Sequence, residues 1–227
     1  MKLLQPNATA RDAVHLLSDK FANVHWGQSA EDAILLRFIG FKRGGFYVDV
    51  GAHHPKRISN TYMFHHRLGW TGVNIDANRE AIELFEKERP NDKNVHALIG
   101  ERTETPHIFT IFKGKTRSTA DANRTARLVG KEFEVLSQQP MSPTPLREIL
   151  EQQVPKDQHI DFMNVDIEGF DIQALKTNDW SAFRPDFLCV EDFEFKTGRN
   201  SAIRKYMASI EYICVSHCYD TSIYKAS

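Results

Sequence analysis

A chain of 227 residues that is 41% hydrophobic and 26% charged, with 12 glycines and 9 prolines, has globular proportions that exclude collagen-like, linker-like and disordered classes. Its length suits one core with an elaboration better than two independent domains. Twenty-nine Lys and Arg against 30 Asp and Glu leave a formal charge of −1, so no general field draws nucleic acid or an anionic membrane, and no nucleic-acid partner is expected.

Met1-Lys2-Leu3-Leu4 gives way at Gln5-Pro6-Asn7 before an apolar run of export-signal length develops. Ala33 to Leu36 and Phe187 to Val190 are apolar but far shorter than the roughly 20 residues a transmembrane helix requires. Cys214 and Cys218 lie on one predicted strand about 13 Å apart, too far to bridge. A soluble chain in a reduced, cytoplasmic setting is the expectation.

In chain order, Arg11 to Phe21 and Glu31 to Phe41 predict helices in an N-terminal segment of about residues 1–44. Phe46 to Val50 predicts a buried strand, broken at Gly51 and followed by a helix from about Ile58 to Leu68. Thr71 to Asp76 is the second strand. Asn78 then caps a helix that places Ala81, Ile82, Leu84 and Phe85 on one side, and Asn94 to Ile99 is the third strand. Residues 101–159 exceed a simple crossover and suggest an inserted lid or acceptor region. Within it, His107 to Phe112 predicts an edge strand, Asp121 to Leu136 a helix, Gln139 to Pro145 a turn-rich linker, and Leu146 to Gln152 another helix. Strands at Ile160 to Asp166, Asp186 to Asp192 and Tyr212 to His217 alternate with helices through Ile172 to Leu175 and Ser201 to Ile210. Thr221 to Lys225 follows after so short a turn that it must run antiparallel to its neighbour. The pattern predicts a single α/β domain: a mostly parallel sheet with an antiparallel last strand and helices on both faces.

In such sheets ligands bind at the carboxyl ends of the strands. Here those ends are acidic, with Asp49 before Gly51, Asp76 closing the second strand, and Asp166 with Glu168 after the fourth. An acid at Asp76 suits a ribose in either a dinucleotide or S-adenosylmethionine. The turn Gly51-Ala52-His53-His54-Pro55-Lys56 lacks the further glycines that let backbone approach a pyrophosphate. Asp49 and Asp166 would repel a pyrophosphate and favour a sulfonium and an ammonium, which leans toward S-adenosylmethionine over a nicotinamide cofactor.

Four segments then carry a resemblance: Gly27-Gln28-Ser29-Ala30-Glu31-Asp32, Phe46 to His53, Gly69-Trp70-Thr71-Gly72-Val73-Asn74-Ile75-Asp76-Ala77-Asn78, and Ile160-Asp161-Phe162 leading to Val165-Asp166-Ile167-Glu168-Gly169-Phe170. In order and spacing they resemble the FkbM family of S-adenosylmethionine-dependent methyltransferases. The resemblance implies the class I methyltransferase (Rossmann-like) fold, a seven-stranded sheet, and O-methylation of a sugar or related hydroxyl, the acceptor being a small molecule, glycan or nucleotide-sugar. It implies that Asp49, Gly51, Ala52 and His53 form the first cofactor loop, that Asp76 meets the ribose with Ala77 beside the adenine, and that Gln28 and Glu31 hold the amino-acid end. Gly100 and Glu101 would touch adenine, and Asp166 would also face the transferable methyl. The sequence departs from the family at His53, near Pro55 and at Asn164, so the first loop should take its own path into its helix.

Methyl transfer to an alcohol needs a base near the attacking hydroxyl. Asp166, then Glu168, are the candidates, with His53 a third because imidazole titrates near neutrality. A divalent ion such as Mg²⁺ held by Asp166 with Glu191 or Asp192 is an alternative way to acidify that hydroxyl. The stretch with Lys113, Lys115, Arg117, Arg124, Arg127 and Lys131 is either a solvated helix face or a surface for an acidic acceptor. A nicotinamide-dependent oxidoreductase and a catalytically silent cofactor-binding scaffold are the competing functions.

Overall fold

The computed structural model describes residues 24–114, 117–129, 133–192 and 201–227. The helix predicted at Arg11 to Phe21 lies outside them. The first half contains α1 (Glu31–Ile39), β1 (Phe46–Val50), α2 (Tyr62–Leu68), β2 (Thr71–Asp76), α3 (Arg79–Glu88) and β3 (Lys93–His96). An excursion follows as β4 (His107–Phe112), α4 (Ala122–Leu128) and β5 (Val135–Met141). The chain returns through α5 (Leu146–Gln153), β6 (Phe162–Val165), α6 (Asp171–Lys176), β7 (Phe187–Glu191), α7 (Ala202–Ser209), β8 (Tyr212–Cys218) and β9 (Thr221–Ala226).

Seven strands form one sheet in the order β3-β2-β1-β6-β7-β9-β8. The first five in that order pair in parallel, and β9 runs antiparallel to both β7 and β8. This is the α/β, class I methyltransferase arrangement the sequence predicts. Strand order reverses between β1 and β6, so the crevice of the fold opens where Gly51 and Asp166 leave those strands.

The period of two along each strand sorts the core into two layers. Phe46, Val48 and Val50 of β1 join Leu146, Ile149 and Leu150 of α5, Ala174 and Leu175 of α6 and Met207 of α7. Tyr47 faces the other way and joins Leu35 of α1, Met63, Phe64 and Leu68 of α2, and Trp70. Both faces of β1 are thus covered, which is why its five residues are all buried.

Four local expectations differ from the structure. Helix α2 starts only at Tyr62, because Ile58 takes a φ of 54° that no helix accommodates. The third strand ends at His96, after which Ile99 makes a single parallel bridge to Thr144. His107–Phe112 is a strand but not an edge of the main sheet: it pairs antiparallel with β5, which takes Gln139, Pro140 and Met141 from the predicted linker. The helix expected over Asp121 to Leu136 is confined to Ala122–Leu128, capped where the Asp121 side chain accepts from the N–H groups of Asn123 and Arg124. Leu146, Ile149 and Leu150 of α5 belong to the main core, so the part of the 101–159 region that stands apart from the sheet is the β4–β5 excursion.

Candidate active site

At the switch point the two central strands nearly touch. Gly51 has a φ of 83°, and a Cβ there would lie 1.8 Å from the carbonyl oxygen of Asp166; only glycine turns the chain there. Its N–H and that of Ala52 both donate to Ile75 O, at 2.9 and 3.1 Å, pinning the first loop to β2.

Asp49, only 2% exposed, acts from beneath as a clasp. Its Oδ2 accepts from Thr61 Oγ1 at 2.9 Å and its Oδ1 from Asn164 Nδ2 at 3.0 Å, while Asn164 accepts from Asn60 Nδ2 at 2.9 Å. Asn164 is therefore a bridge between β6, Asp49 and the stretch that carries Asn60. Asp76 staples the same loop from β2: its carboxylate accepts the N–H of His53 at 2.8 Å and that of Asn78 at 2.7 Å. His53 takes a positive φ of 56°, and its ring Nε2 lies 3.4 Å from Arg57 Nη2.

Across the crevice, the turn after β6 is held by Asp171, whose two oxygens accept from the N–H groups of Ile167 at 3.0 Å and Gly169 at 3.1 Å. Glu168 adopts a φ of 56° within that turn and pairs with Arg124 of α4, and Thr119 Oγ1 donates to Glu168 O at 2.9 Å. The inserted region is thereby fastened to the cleft mouth. Asp166 Oδ1 and Glu191 Oε2 are buried without a hydrogen-bond partner among the described residues. Carboxylate oxygens of Asp166, Glu168 and Glu191 lie within 4.8 Å of one another.

These groups line a cleft of about 1230 Å³ measured out to its open mouth. Among the described residues, every ionisable side chain on its wall other than His53 is a carboxylate. Ala77, Leu98 and Phe109 give it an apolar slot, backed by the small cluster of Leu98, Phe109, Ile111 and Ala120.

Burial of so many like charges raises their pKa values. Burial, together with the neighbouring Asp171, pushes the Asp166 carboxyl up to about 7. Burial lifts Asp76 to about 6 against the backbone N–H groups that favour its charge, and lifts Glu191 to about 10 with Asp166 and Asp171 adding repulsion. Burial also raises Asp49 and Glu31. Folded-state values above the ordinary carboxyl range mean that the folded chain holds protons the unfolded chain has released. That stability is complete below about pH 4 and is lost as pH rises through about 6 and 7 for Asp76 and Asp166. The cofactor-free protein is accordingly expected to melt several degrees lower at pH 8 than at pH 5.5, with a difference on the order of 1 kcal/mol from Asp76 and on the order of 2 kcal/mol from Asp166. Differential scanning calorimetry across that range checks it, and a midpoint that rises with pH contradicts the assignment.

The structure brings Gln28, Glu31, Asp49, Gly51, Ala52, His53, Asp76, Ala77, Asp166, Glu168 and Glu191 around one cleft. It does not bring Gly100, Glu101 or Asp192 there. Gly100 N–H donates to Thr144 O, which turns the chain away so that Glu101 is exposed, and Ala97, Leu98 and Ile99 line the cleft in their place. Asp192 is buried and accepts from Ser201 Oγ at 2.6 Å, supporting the start of α7. Sequence reasoning missed Asn60, Phe170, Asp220 and Thr221 on the wall. Asp220 lies in the tight β8–β9 turn and Thr221 opens β9 opposite Glu191 of β7, a pairing that the short-turn argument from sequence did not reach.

The family model for the methyltransferase FkbM domain matches residues 49–214. No curated protein matches the sequence. Solved structures similar to this chain include a precorrin-6y C5,15-methyltransferase from Geobacter metallireducens GS-15, 12% identical over 92% of this chain and 96% of that one, with a TM-score of 0.44. Another is an O-methyltransferase from Bacillus cereus in complex with SAH, 13% identical over 93% of this chain and 84% of that one, with a TM-score of 0.41. With the family match running from the clasp Asp49 in β1 through β6 and β7 into β8, the chain belongs to the FkbM family of methyltransferases, whose membership implies S-adenosylmethionine as methyl donor.

Proposed function

We propose that this methyltransferase acts on a hydroxyl of an uncharged sugar or glycan, with Asp166 receiving the hydroxyl proton. The observation that carries the proposal is the acidic wall: it suits a donor with a sulfonium and an ammonium group and an acceptor rich in hydroxyl donors, and it repels phosphate. Bound there, S-adenosylmethionine supplies an electrophilic methyl on a positively charged sulfur. Asp76 would accept hydrogen bonds from ribose hydroxyls, Ala77, Leu98 and Phe109 would take the apolar face of the adenine, and Glu31 with Gln28 would hold the ammonium. Asp166 has an unpartnered oxygen and a pKa of about 7, so it can hold a proton near neutrality. Glu168, already paired with Arg124, anchors the inserted region instead of acting as base.

Three of the four described cations of the basic stretch are engaged within the chain, which also favours an uncharged acceptor. Lys113 pairs with Glu134 at 2.9 Å, Arg124 with Glu168, and the Arg117 guanidinium lies 5.3 Å from the ring centre of Phe133. Asp166, Glu168 and Glu191 are the residues that could hold a divalent ion, but the Arg124 guanidinium occupies the Glu168 carboxylate, and we propose transfer that is insensitive to chelator. The three free cysteines, Cys189, Cys214 and Cys218, support a reducing, cytoplasmic setting. No helix among the described residues is long and apolar enough to cross a membrane.

Incubation with methyl-labelled S-adenosylmethionine and a panel of neutral sugars, glycans and nucleotide-sugars, with Mg²⁺ or chelator, tests this. Label is expected in a neutral acceptor under both conditions. Label confined to phosphorylated or nucleotide-linked sugars would restore the acidic acceptor, and chelator-sensitive label would restore the metal. Tight binding of S-adenosylhomocysteine with no transfer anywhere would favour a silent scaffold, and binding of NADH in its place an oxidoreductase.

A further inference from the structure

Arg89 follows α3, at a helix end where a cation ordinarily stays in solvent. Here it is 1% exposed, with its guanidinium 5.0 Å from the ring centre of Phe85, 5.7 Å from Tyr62 and 5.9 Å from Tyr47. Nη1 donates to Thr61 Oγ1 at 2.8 Å and to Tyr47 Oη at 3.0 Å; Nη2 donates to Ser59 Oγ at 3.1 Å and to Pro55 O. Taking a guanidinium out of water costs several kcal/mol unless its donors are met, and well-packed apolar groups would serve stability as well or better. What such a group adds is a rigid fork that fixes several acceptors at once.

Three of the four acceptors belong to residues 55–61, between the first loop and α2. In the middle of that stretch lies Ile58, whose φ of 54° is a left-handed conformation that a β-branched residue holds only when its surroundings impose it. Ile58, Ser59 and Asn60 line the cleft; Arg89 does not. From the braced stretch, hydrogen bonds spread to the rest of the donor end. Thr61 reaches Asp49, Asn60 reaches Asn164, and Ser59 N–H donates to Trp26 O at 3.1 Å, tying in the upstream segment that carries Gln28 and Glu31.

We infer that Arg89 is a positioning residue for the methyl donor: from behind the cleft, its guanidinium fork holds residues 55–61 in the strained path that shapes the donor end. The inference rests on this cleft being the donor site. Asp92 supplies the control. It is buried in the same neighbourhood, accepting from Tyr47 Oη, from Gly72 N–H at 3.2 Å and from Asn74 Nδ2 at 3.0 Å, but it has no hydrogen bond to residues 55–61.

The test compares wild type, Arg89→Lys, Thr61→Val and Asp92→Asn by thermal unfolding and by S-adenosylhomocysteine calorimetry well below every transition. Lysine keeps the charge but loses the fork. Arg89→Lys is expected to weaken S-adenosylhomocysteine about tenfold, the worth of one well-placed hydrogen bond, and Thr61→Val to weaken it in the same direction. Asp92→Asn is expected to lower the melting temperature at least as much as Arg89→Lys while keeping wild-type affinity. Wild-type affinity in Arg89→Lys, or affinity falling in step with melting temperature across both charged sites, overturns the inference. Should Arg89→Lys fail to fold, wild-type affinity in Thr61→Val overturns it instead. Failure of the wild type to bind S-adenosylhomocysteine overturns the donor-site assignment itself, and this inference with it.

Discussion

Asp166→Asn is expected to lower methyl transfer by about 10²- to 10⁴-fold, the usual contribution of a positioned general base. The amide keeps the size of the side chain but can no longer accept the hydroxyl proton. Asp166 meets the requirements physically: it follows directly on the central strand β6, one oxygen has no partner among the described residues, and burial, with Asp171 beside it, leaves it with a pKa of about 7. Initial rates with labelled donor should therefore fall in the variant, and calorimetry should separate the two cofactor forms. S-adenosylhomocysteine has no sulfonium charge, so its affinity should stay near wild type, whereas S-adenosylmethionine should bind more weakly once a nearby negative charge is gone. A variant that transfers methyl at the wild-type rate would move the base elsewhere, with His53 next in line on the cleft wall.

The second large effect is expected at Gly51. An added Cβ would meet the Asp166 carbonyl at 1.8 Å, and backbone on both sides, fixed by the bonds to Ile75 and by the β1–β6 pairing, cannot step aside. A clash of that depth at a φ of 83° belongs to the severe class of substitutions, about 4 kcal/mol or more. In a domain of this size that is a fall in melting temperature on the order of 10 °C. Gly51→Ala should also lose measurable S-adenosylhomocysteine binding at temperatures where it remains folded, because relief can come only from parting β1 and β6 at the crevice. Unchanged melting and unchanged affinity would mean that the two loops separate freely.

Both residues were legible in the sequence because the pattern that marks them is local. A run of apolar residues followed by an acid and a glycine at Asp49-Val50-Gly51, an acid at Asp76 and another at Asp166 are strand ends whatever the rest of the chain does. Strand β5 was hidden for the opposite reason. Ser137, Gln138, Gln139 and Pro140 have poor strand propensity, and only pairing with β4 makes them extended. Arg89 was invisible as well. A cation before Pro90-Asn91-Asp92 looks solvated, and its burial depends on Tyr47, Tyr62 and Phe85 arriving from three separate elements. Leu98 and Ile99 line the cleft where Gly100 and Glu101 were expected, because the bridge between Ile99 and Thr144 is a contact across 45 positions that no window of sequence contains.

That bridge has a consequence for how such a chain can vary. Thr144 N–H donates to Leu98 O at 2.8 Å and Gly100 N–H to Thr144 O at 3.1 Å, so the excursion containing β4, α4 and β5 leaves and re-enters the domain at a single stapled point. Its two ends are fixed side by side whatever lies between them. Lengthening the intervening chain costs little, since closure entropy grows only with the logarithm of loop length. The excursion can therefore change in length without moving a register of the seven-stranded sheet, provided that Phe109 still lines the apolar slot and that Arg124 and Thr119 still hold Glu168.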